Sequence, residues 1–401
     1  MHEKDWNITQ LAKNSNIHLT EISRILNHKQ SLSLRNLDAI TAGLGLEGGT
    51  FYSDYIEECF NENKIMDKRR SMEFLYKCAS LGYEDLLQNM FNRVLDERSK
   101  QILKKNLNYI FLVAEKLFEE KKVLLSLPLY ECVIESTPDH HSAQLAKSYY
   151  KKYYIVRLTE QGPDAEVLVL RHFHNLPQEL QLSTYLWIMA TCYIRQNWEK
   201  VMCYAKALEK IAKEEEYYGR ALLYQGFASL RLGSSLEEVL KVIDRYSKVN
   251  GYYADLAIGN RFVVYLEFGQ YEYVDRYLDW LEGRDDMFAG LPRILEVYLK
   301  LERIDDVEVL LKQYFYIFEE TALSNESFRQ QMHLQLRFSH ALYQCAKNKI
   351  TEGVHEILDV LITAIELGVA KSFSKALVMF WKYRHKINLE HERKYLQILG
   401  R

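Results

Sequence analysis

Residues that break helices are scarce in this chain of 401 residues, which contains only 5 Pro and 17 Gly. Proline kinks or ends a helix and glycine weakens its interior, so their scarcity favours long helical stretches. Long apolar runs are missing as well, since no run reaches the roughly 18 apolar residues that a membrane-crossing helix needs. We therefore expect an all-α protein that does not interact with a membrane.

Cysteine pairs and catalytic signatures are also absent. The six cysteines form no C-x-x-C pair, and we interpret them as reduced thiols in the core, on apolar helical segments. The motifs G-x-x-x-x-G-K-[ST], H-E-x-x-H and G-x-S-x-G do not occur, so we predict that the protein is not an enzyme and holds no cofactor. The histidine clusters at 140–141 and 172–174 lie beside proline at predicted helix ends, where exposed histidine is common, so no metal site is expected.

Neither sign of charge dominates, because 52 Lys and Arg stand against 55 Asp and Glu, a formal net charge of −3. This balance gives no overall attraction to nucleic acid or to an anionic membrane. The first residues, MHEKDWNI, lack the apolar segment of a secretory signal. Together with the unpaired cysteines, this predicts a cytoplasmic protein.

The stretch ITQLAKNSNIHLTEISRILN, residues 8–27, has a distinctive apolar spacing. It predicts two short helices that cross over a tight turn, the second running from about 18 to 26. Ala12 falls where the helices approach most closely, and Asn16 falls in the turn, at a position that needs a positive φ. Ser33 is predicted to cap a third helix with an apolar stripe.

This order of residues resembles the Cro/repressor, or XRE-type, helix-turn-helix family over residues 8–46. The resemblance implies that the second helix reads DNA in the major groove. The outward positions of that helix and of the turn after it are the predicted DNA-binding residues: His18, Thr20, Ser23, Arg24, Asn27 and Lys29.

The predicted DNA-binding region has little excess positive charge, with five Lys and Arg against four Asp and Glu in residues 1–46. Phosphate contacts supply much of the affinity for DNA, so this region needs support from dimerisation or from the basic run KIMDKRR at 64–70. That run is equally well interpreted as a solvated helix face.

The rest of the chain carries a degenerate repeat. The segment 183–211 resembles a tetratricopeptide repeat, which is a pair of antiparallel helices that must stack on its neighbours. Residues aligned with Val201 of this unit recur at separations of 40, 34, 38, 35 and 33, and they are Leu127, Val167, Val239, Val274 and Val307. We predict a right-handed tetratricopeptide-like α-solenoid of about six to eight helix pairs.

Three domains follow from these patterns: a helix-turn-helix domain at 1–60, a repeat domain at 61–385 and a capping or dimerisation helix at 386–401. A solenoid offers a groove that suits an extended peptide. The predicted peptide-binding residues in this groove are Arg195 and Arg220 as donors, Trp187 and Phe227 as an apolar floor, and Thr191. The two arginines are alternatively interpreted as surface charges.

A helix-turn-helix followed by tetratricopeptide repeats resembles the RRNPP family of bacterial peptide-responsive regulators. The runs ILNHKQSLSLRNLDAI and YSDYIEECFNENKIMDKRRSMEFLYKCASLGYEDLLQNMF are similar to its arbitrium-receptor branch, found in temperate phages. The resemblance implies a homodimer held by the C-terminal part, a double-stranded DNA operator, and a signal peptide of about six residues bound in the groove. It also implies control of the choice between lysis and lysogeny in a bacterial host cell.

The same resemblance bears on the peptide site. Arg220 falls where the arbitrium branch carries a peptide-binding arginine, and Thr191 and Arg195 fall near its peptide-gripping asparagines. Phe373 corresponds to a late groove aromatic. Two other functions stay open: a related regulator of sporulation, virulence or conjugation, and a tetratricopeptide inhibitor that binds a protein and not DNA.

Overall fold

The structure, a computed structural model, describes residues 6–61, 63, 65–213 and 215–400. In this part of the chain all regular structure is helical, apart from one isolated antiparallel bridge between Phe60 and Met66. The chain divides into two compact units, Met1–Thr184 and Tyr185–Arg401, and the division falls inside one helix. The prediction of an all-α chain is confirmed, whereas the three domain boundaries stay predictions.

The helices of the first unit are α1 (Ile8–Ser15), α2 (Leu19–Leu26), α3 (Leu34–Gly43), α4 (Tyr52–Glu58), α5 (Lys68–Leu81), α6 (Glu84–Leu95), α7 (Lys100–Glu119), α8 (Val123–Ser136), α9 (Ala143–Val156) and α10 (Gly162–Arg171). Helix α11 (Gln178–Ile194) contains the division between the units.

The helices of the second unit are α12 (Trp198–Ile211), α13 (Glu215–Arg231), α14 (Leu236–Tyr246), α15 (Gly251–Glu267), α16 (Val274–Leu281), α17 (Met287–Lys300), α18 (Ile304–Gln313), α19 (Phe315–Ala322), α20 (Ser327–Ala346), α21 (Ile350–Glu366), α22 (Ala370–Lys382) and α23 (Leu389–Leu399). Short 3-10 turns precede α16 and α23.

The repeat predicted from Val201 onward is visible in the packing of the second unit. Val201, Val239 and Val307 are each the fourth residue of their helix, α12, α14 and α18, and each is at most 1% exposed. Val274 is equally buried and follows a 3-10 turn that begins at Tyr271. The same position of the repeat is therefore buried in one helix of each pair.

The repeat alignment upstream of Val201 is wrong. Val167 is 56% exposed, whereas Val169 is fully buried. Because α10 begins at Gly162, Ala165 and Val169, one turn apart, face the interior and Val167 points away from it. The run EVLVL is apolar at four successive positions, so periodicity in the sequence could not choose between the two registers.

Two smaller expectations, for the cysteines and for the histidine clusters, can also be compared with the structure. Five cysteines are buried and unpaired as predicted, but Cys203 is exposed. His172 is buried rather than exposed, because its ring stacks on Tyr149 with centroids 4.5 Å apart. Among the described residues, none of the helices combines the length and apolarity needed to cross a membrane, and no group of three His, Cys, Asp or Glu is arranged to hold a metal ion.

Candidate DNA- and peptide-binding surfaces

Helices α1, α2 and α3 pack around a small apolar cluster. Leu11, Ala12 and Ile22 are buried at its centre. Asn16 follows α1 in the left-handed conformation, with φ 53° and ψ 36°, as its place in the turn predicted. Gly43 on α3 lies so close to α1 that an added Cβ would stand 2.8 Å from the backbone nitrogen of Ser15. Small residues on both sides therefore allow α1 and α3 to approach closely.

Helix α2 presents the six predicted DNA-binding residues at or near solvent. Five of them are exposed and Ser23 is half-buried. His18 caps the helix: its Nδ1 lies 3.4 Å from the backbone nitrogen of Thr20 and 2.7 Å from its hydroxyl. Asn27 closes the other end, where its side-chain amide donates to the carbonyl of Ser23 at 2.7 Å. The polar groups at both ends of α2 are thus held in place.

The outer face of α2 is positively charged because its one acidic residue is turned towards α3. Glu21 accepts hydrogen bonds from the side-chain amides of Asn36 at 2.8 Å and Gln30 at 3.2 Å. Arg24 and Lys29, in contrast, form no ion pair with any residue in the described ranges. Their charges remain available to a phosphate backbone.

Helix α3 is tied to the helices that follow it. The carboxylate of Asp38 accepts a hydrogen bond of 2.7 Å from the Tyr52 hydroxyl on α4 and pairs with Lys77 on α5. The Tyr55 hydroxyl donates to the carbonyl of Leu32 at 3.2 Å. These contacts fix the position of α3, and with it α2, on the rest of the first unit.

The basic run at 64–70 is divided in role. Arg70 donates to Glu58 at 3.1 Å and lies 3.5 Å from Asp67, so it joins α5 to α4. Lys68 and Arg69 are exposed. Lys64 lies outside the described residues. Only part of this run is therefore in a position to supplement the charge of α2.

One face of α13 gathers two of the predicted peptide-binding residues. Arg220 and Phe227 lie about two turns apart on this face, together with Tyr224 and Arg231 at helical spacing. Arg220 is exposed and pairs with Glu216, one turn earlier, at 3.0 Å. The ring of Phe227 is half-buried and lies 5.8 Å from that of Tyr224.

Helix α11 contributes the other predicted residues with different exposure. Trp187 is half-buried, Arg195 is exposed directly after the helix ends, and Thr191 is only 2% exposed. Tyr193, which is not among the predicted peptide-binding residues, connects α11 to α13, because its ring lies 5.4 Å from Phe227. Their roles towards a peptide stay predictions.

A cluster of charges beyond this aromatic face was missed by sequence reasoning. Arg231, at the end of α13, donates twice to the carboxylate of Glu267, at the end of α15, with distances of 3.1 and 3.2 Å. Arg293 on α17 donates to the same carboxylate at 3.3 Å. Burial alone would raise the pKa of Glu267, but Arg293, Arg231 and Lys371 outweigh it and lower that pKa to about 2. Arg231 and Arg293 thus pair with the one carboxylate of Glu267, and the charge of Lys371 also acts on it. The cluster has more positive than negative charge.

Phe373 lies near this charge cluster on α22, half-buried and two residues from Lys371. Lys375, one turn further, donates to Glu296 on α17 at 2.7 Å. Two charged residues one repeat apart in the sequence could have revealed the cluster. They are Arg231 at the end of α13 and Glu267 at the end of α15. Such residues look like ordinary surface charges until the repeat register is known.

Comparisons with known proteins give little. No model of a protein family and no curated protein matches the chain. A solved structure described as "Circular tandem repeat protein with novel repeat topology and enhanced subunit contact surfaces" is similar over 98% of this chain and 84% of its own, at 12% identity and a TM-score of 0.15.

Proposed function

We propose that this protein is a peptide-responsive, DNA-binding transcriptional regulator of the arbitrium-receptor type, in which α1–α3 form a helix-turn-helix and the later helices form a right-handed solenoid. The observation that carries the proposal is α2, a short capped helix that exposes Thr20 and Arg24 between Leu19 and Leu26 and whose one acid is turned towards α3. A major groove admits such a helix.

The DNA-binding residues divide by chemistry. Arg24 and Lys29 carry the charge that phosphates attract, and such contacts position a protein without reading sequence. Thr20, Ser23 and Asn27 carry hydroxyl and amide groups that suit base edges. His18 acts through its cap on Thr20 and holds the start of the reading helix.

The peptide site is proposed on the α13 face and the neighbouring charge cluster. The rings of Tyr193 and Phe227 offer an apolar surface, and Arg231, Arg293 and Lys371 outnumber the carboxylate of Glu267. A short peptide carries a C-terminal carboxylate, and arginine pairs with carboxylates in a bidentate manner. Arg220 would exchange its present partner, Glu216, for a group of the peptide.

A homodimer is supported by the exposed apolar side chains of the last two helices. Leu389, Leu396 and Leu399 of α23 are each more than half exposed, and Val378 and Trp381 of α22 are exposed near them in sequence. Apolar surface of this kind is commonly covered by a partner. A second copy of the chain would cover it and bring two α2 helices to one operator.

The proposed mechanism is a population shift. Two reading helices must lie about 34 Å apart, or a multiple of it, to meet successive major grooves on one face of DNA. A peptide that binds one conformation of the dimer more tightly than another favours that conformation by its difference in affinity. A coupling of about 1–3 kcal/mol changes operator occupancy roughly 5- to 150-fold.

The test measures binding of the dimer to DNA upstream of its own gene by fluorescence anisotropy at several salt concentrations. Arg24→Ala and Lys29→Ala should weaken binding to every sequence and each reduce the salt slope by about 1. Thr20→Ala and Ser23→Ala should instead change which sequence is preferred. Lys241→Ala, in an exposed pair with Glu237 on α14, is the matched control.

The same titration decides between the candidate functions. A hexapeptide encoded beside the gene should shift the affinity for DNA, in a direction that the experiment reveals. If the unaltered protein shows no specific DNA binding, the proposal is contradicted and the tetratricopeptide inhibitor is favoured. The genes controlled by the operator distinguish a phage regulator from one of sporulation, virulence or conjugation.

A further inference from the structure

A cavity lies in the second unit, lined by none of the proposed peptide-binding residues. It has a volume of about 720 Å³ between α18, α19, α20 and α21, within the range of small-molecule sites. Leu311, Phe315 and Phe318 form an apolar wall, and His333, Arg337 and His340 of α20 face it. The rings of Phe318 and His333 meet edge to face, with centroids 6.4 Å apart. One side of the cavity is thus apolar and the other carries hydrogen-bonding groups.

Arg337 is the group in this cavity whose donors are not used. Its guanidinium lies 3.9 Å from both Glu356 and Asp359, beyond hydrogen-bonding distance. Glu356 has a closer partner, since it accepts from His340 at 2.7 Å, and Asp359 accepts from Lys394 at 2.7 Å. Within the described residues the planar fork of Arg337 therefore faces the cavity without a hydrogen-bonded acceptor.

The other charges that line the cavity are paired with each other. Glu308 accepts from Lys312 at 2.7 Å and lies 2.8 Å from Lys347. The two lysines hold the pKa of Glu308 well below its ordinary value, at about 2. A ligand carboxylate entering the cavity would thus meet the guanidinium of Arg337, whose two acidic neighbours each have a shorter hydrogen bond to another residue.

His333 supplies an acceptor one turn before Arg337. Its Nδ1 lies 3.1 Å from the Thr321 hydroxyl, which already donates to the carbonyl of Ile317 at 2.6 Å. With the Thr321 proton directed to that carbonyl at the shorter distance, we assign the ring proton to Nδ1, which donates to Thr321, and Nε2 is left as an acceptor. Burial and the charge of Arg337 lower the pKa of His333, so the ring is neutral. The same helix face thus offers an acceptor and a carboxylate-binding fork.

We propose that this cavity binds an apolar amino-acid unit, with its side chain on Phe315 and Phe318, its carboxylate on Arg337 and its N–H on Nε2 of His333. The unit carries a carboxylate and a nitrogen donor on one carbon, which suits two side chains one turn apart on the same face of α20. It can come from a free apolar amino acid or from the C-terminal residue of a peptide. This proposal does not depend on the DNA-binding function.

The experiment titrates three probes into the full-length protein by calorimetry: L-phenylalanine, N-acetyl-L-phenylalanine and L-phenylalaninamide. Fragments of this size bind weakly, with Kd on the order of 1 mM. We expect one or both carboxylates to bind and the amide, which lacks the carboxylate, to bind at least about tenfold more weakly. Binding of phenylalanine identifies the free amino acid as the source, and binding of the acetylated form alone identifies a peptide C-terminus.

Two variants connect the binding to the cavity. Arg337→Gln should weaken the binding of the two carboxylate probes by about 10- to 100-fold. The ring of Phe315 is 59% exposed, so Phe315→Ala should not disturb folding, and it should weaken the binding of all three probes. Arg329→Gln, two turns earlier on α20 and outside the cavity, should bind like the unaltered protein. Equal binding of acid and amide, no binding of either carboxylate, or unchanged binding in both cavity variants overturns the proposal.

Discussion

Single residues decide how closely the N-terminal helices pack. Gly43 on α3 faces the backbone of α1, and an added Cβ would lie 2.8 Å from the nitrogen of Ser15 and 2.9 Å from the carbonyl carbon of Asn14. Backbone atoms cannot rotate away as a flexible side chain can. The proposed reading helix α2 depends on this contact because it packs on both neighbours.

We predict that Gly43→Ala destabilises the α1–α3 cluster by about 1–3 kcal/mol, because the new methyl group forces α1 and α3 apart. Hydrogen exchange of α1 and α2 amides, followed by mass spectrometry, measures the effect locally. Gly48→Ala is the control, since its Cβ would have nothing within 4 Å. Equal exchange in both variants would show that the close approach is not needed.

The charge cluster predicts a dependence of stability on pH. The pKa of Glu267 is about 2 in the folded chain, below its ordinary 4.5. A carboxyl group with a lowered pKa stabilises the fold above its unfolded value, and the contribution is lost as pH falls from about 4.5 towards about 2. Glu267→Gln should remove up to about 3 kcal/mol of such stabilisation.

Urea unfolding at about pH 6 and at about pH 3 tests this expectation. The unaltered protein should lose more stability between the two conditions than Glu267→Gln does. Glu237→Gln, in an exposed pair on α14, should behave like the unaltered protein because surface pairs contribute little. If Glu267→Gln loses as much stability between the two pH values as the unaltered protein does, Glu267 is not the source of the pH dependence.

At the scale of the helical element, register is the feature that the structure adds to the sequence. Val201, Val239 and Val307 recur at the fourth residue of their helices, but in α10 the inward residue is Val169 and not Val167. The start of α10 at Gly162 sets this choice.

We predict that Val169→Ala costs about 2 kcal/mol of unfolding free energy, because it leaves a cavity in the interior. Val167→Ala, two residues away on the exposed side, should change it by less than about 0.5 kcal/mol. Urea unfolding of the two variants gives the comparison directly. The opposite order would restore the alignment through Val167.

The sequence predicted local features of α1–α3 well because they depend on single residues. Asn16 in the turn and Ser33 before α3 lie where their chemistry required. Helix α19 was not predicted, since it follows α18 after one residue, Tyr314, and breaks the two-helix repeat. The charge cluster and the cavity each depend on residues from three or more helices, and periodicity alone does not show which of their faces meet.

At the scale of the whole molecule, the exposed face of α23 predicts self-association. Leu396→Asp should weaken the dimer at least about 100-fold, because a carboxylate in an apolar interface loses its hydration. Sedimentation equilibrium measures the change. Leu323→Asp, at a leucine after α19 that is even more exposed than Leu396, should leave the dimer intact. A monomer in the unaltered protein would exclude this interface and, with it, the paired reading helices.

Helix α3 belongs to two apolar clusters, and this limits how the N-terminal helices can be used elsewhere. Leu34 and Leu37 are part of the large core of the first unit, whereas Ile40 and Leu44 pack with α1 and α2. A fragment ending near Thr50 keeps every proposed DNA contact but loses the apolar partners of half of α3. Such a short piece has little core of its own, so the proposed DNA-binding helices cannot be moved alone into another protein, and a chimera built from them must extend through α5.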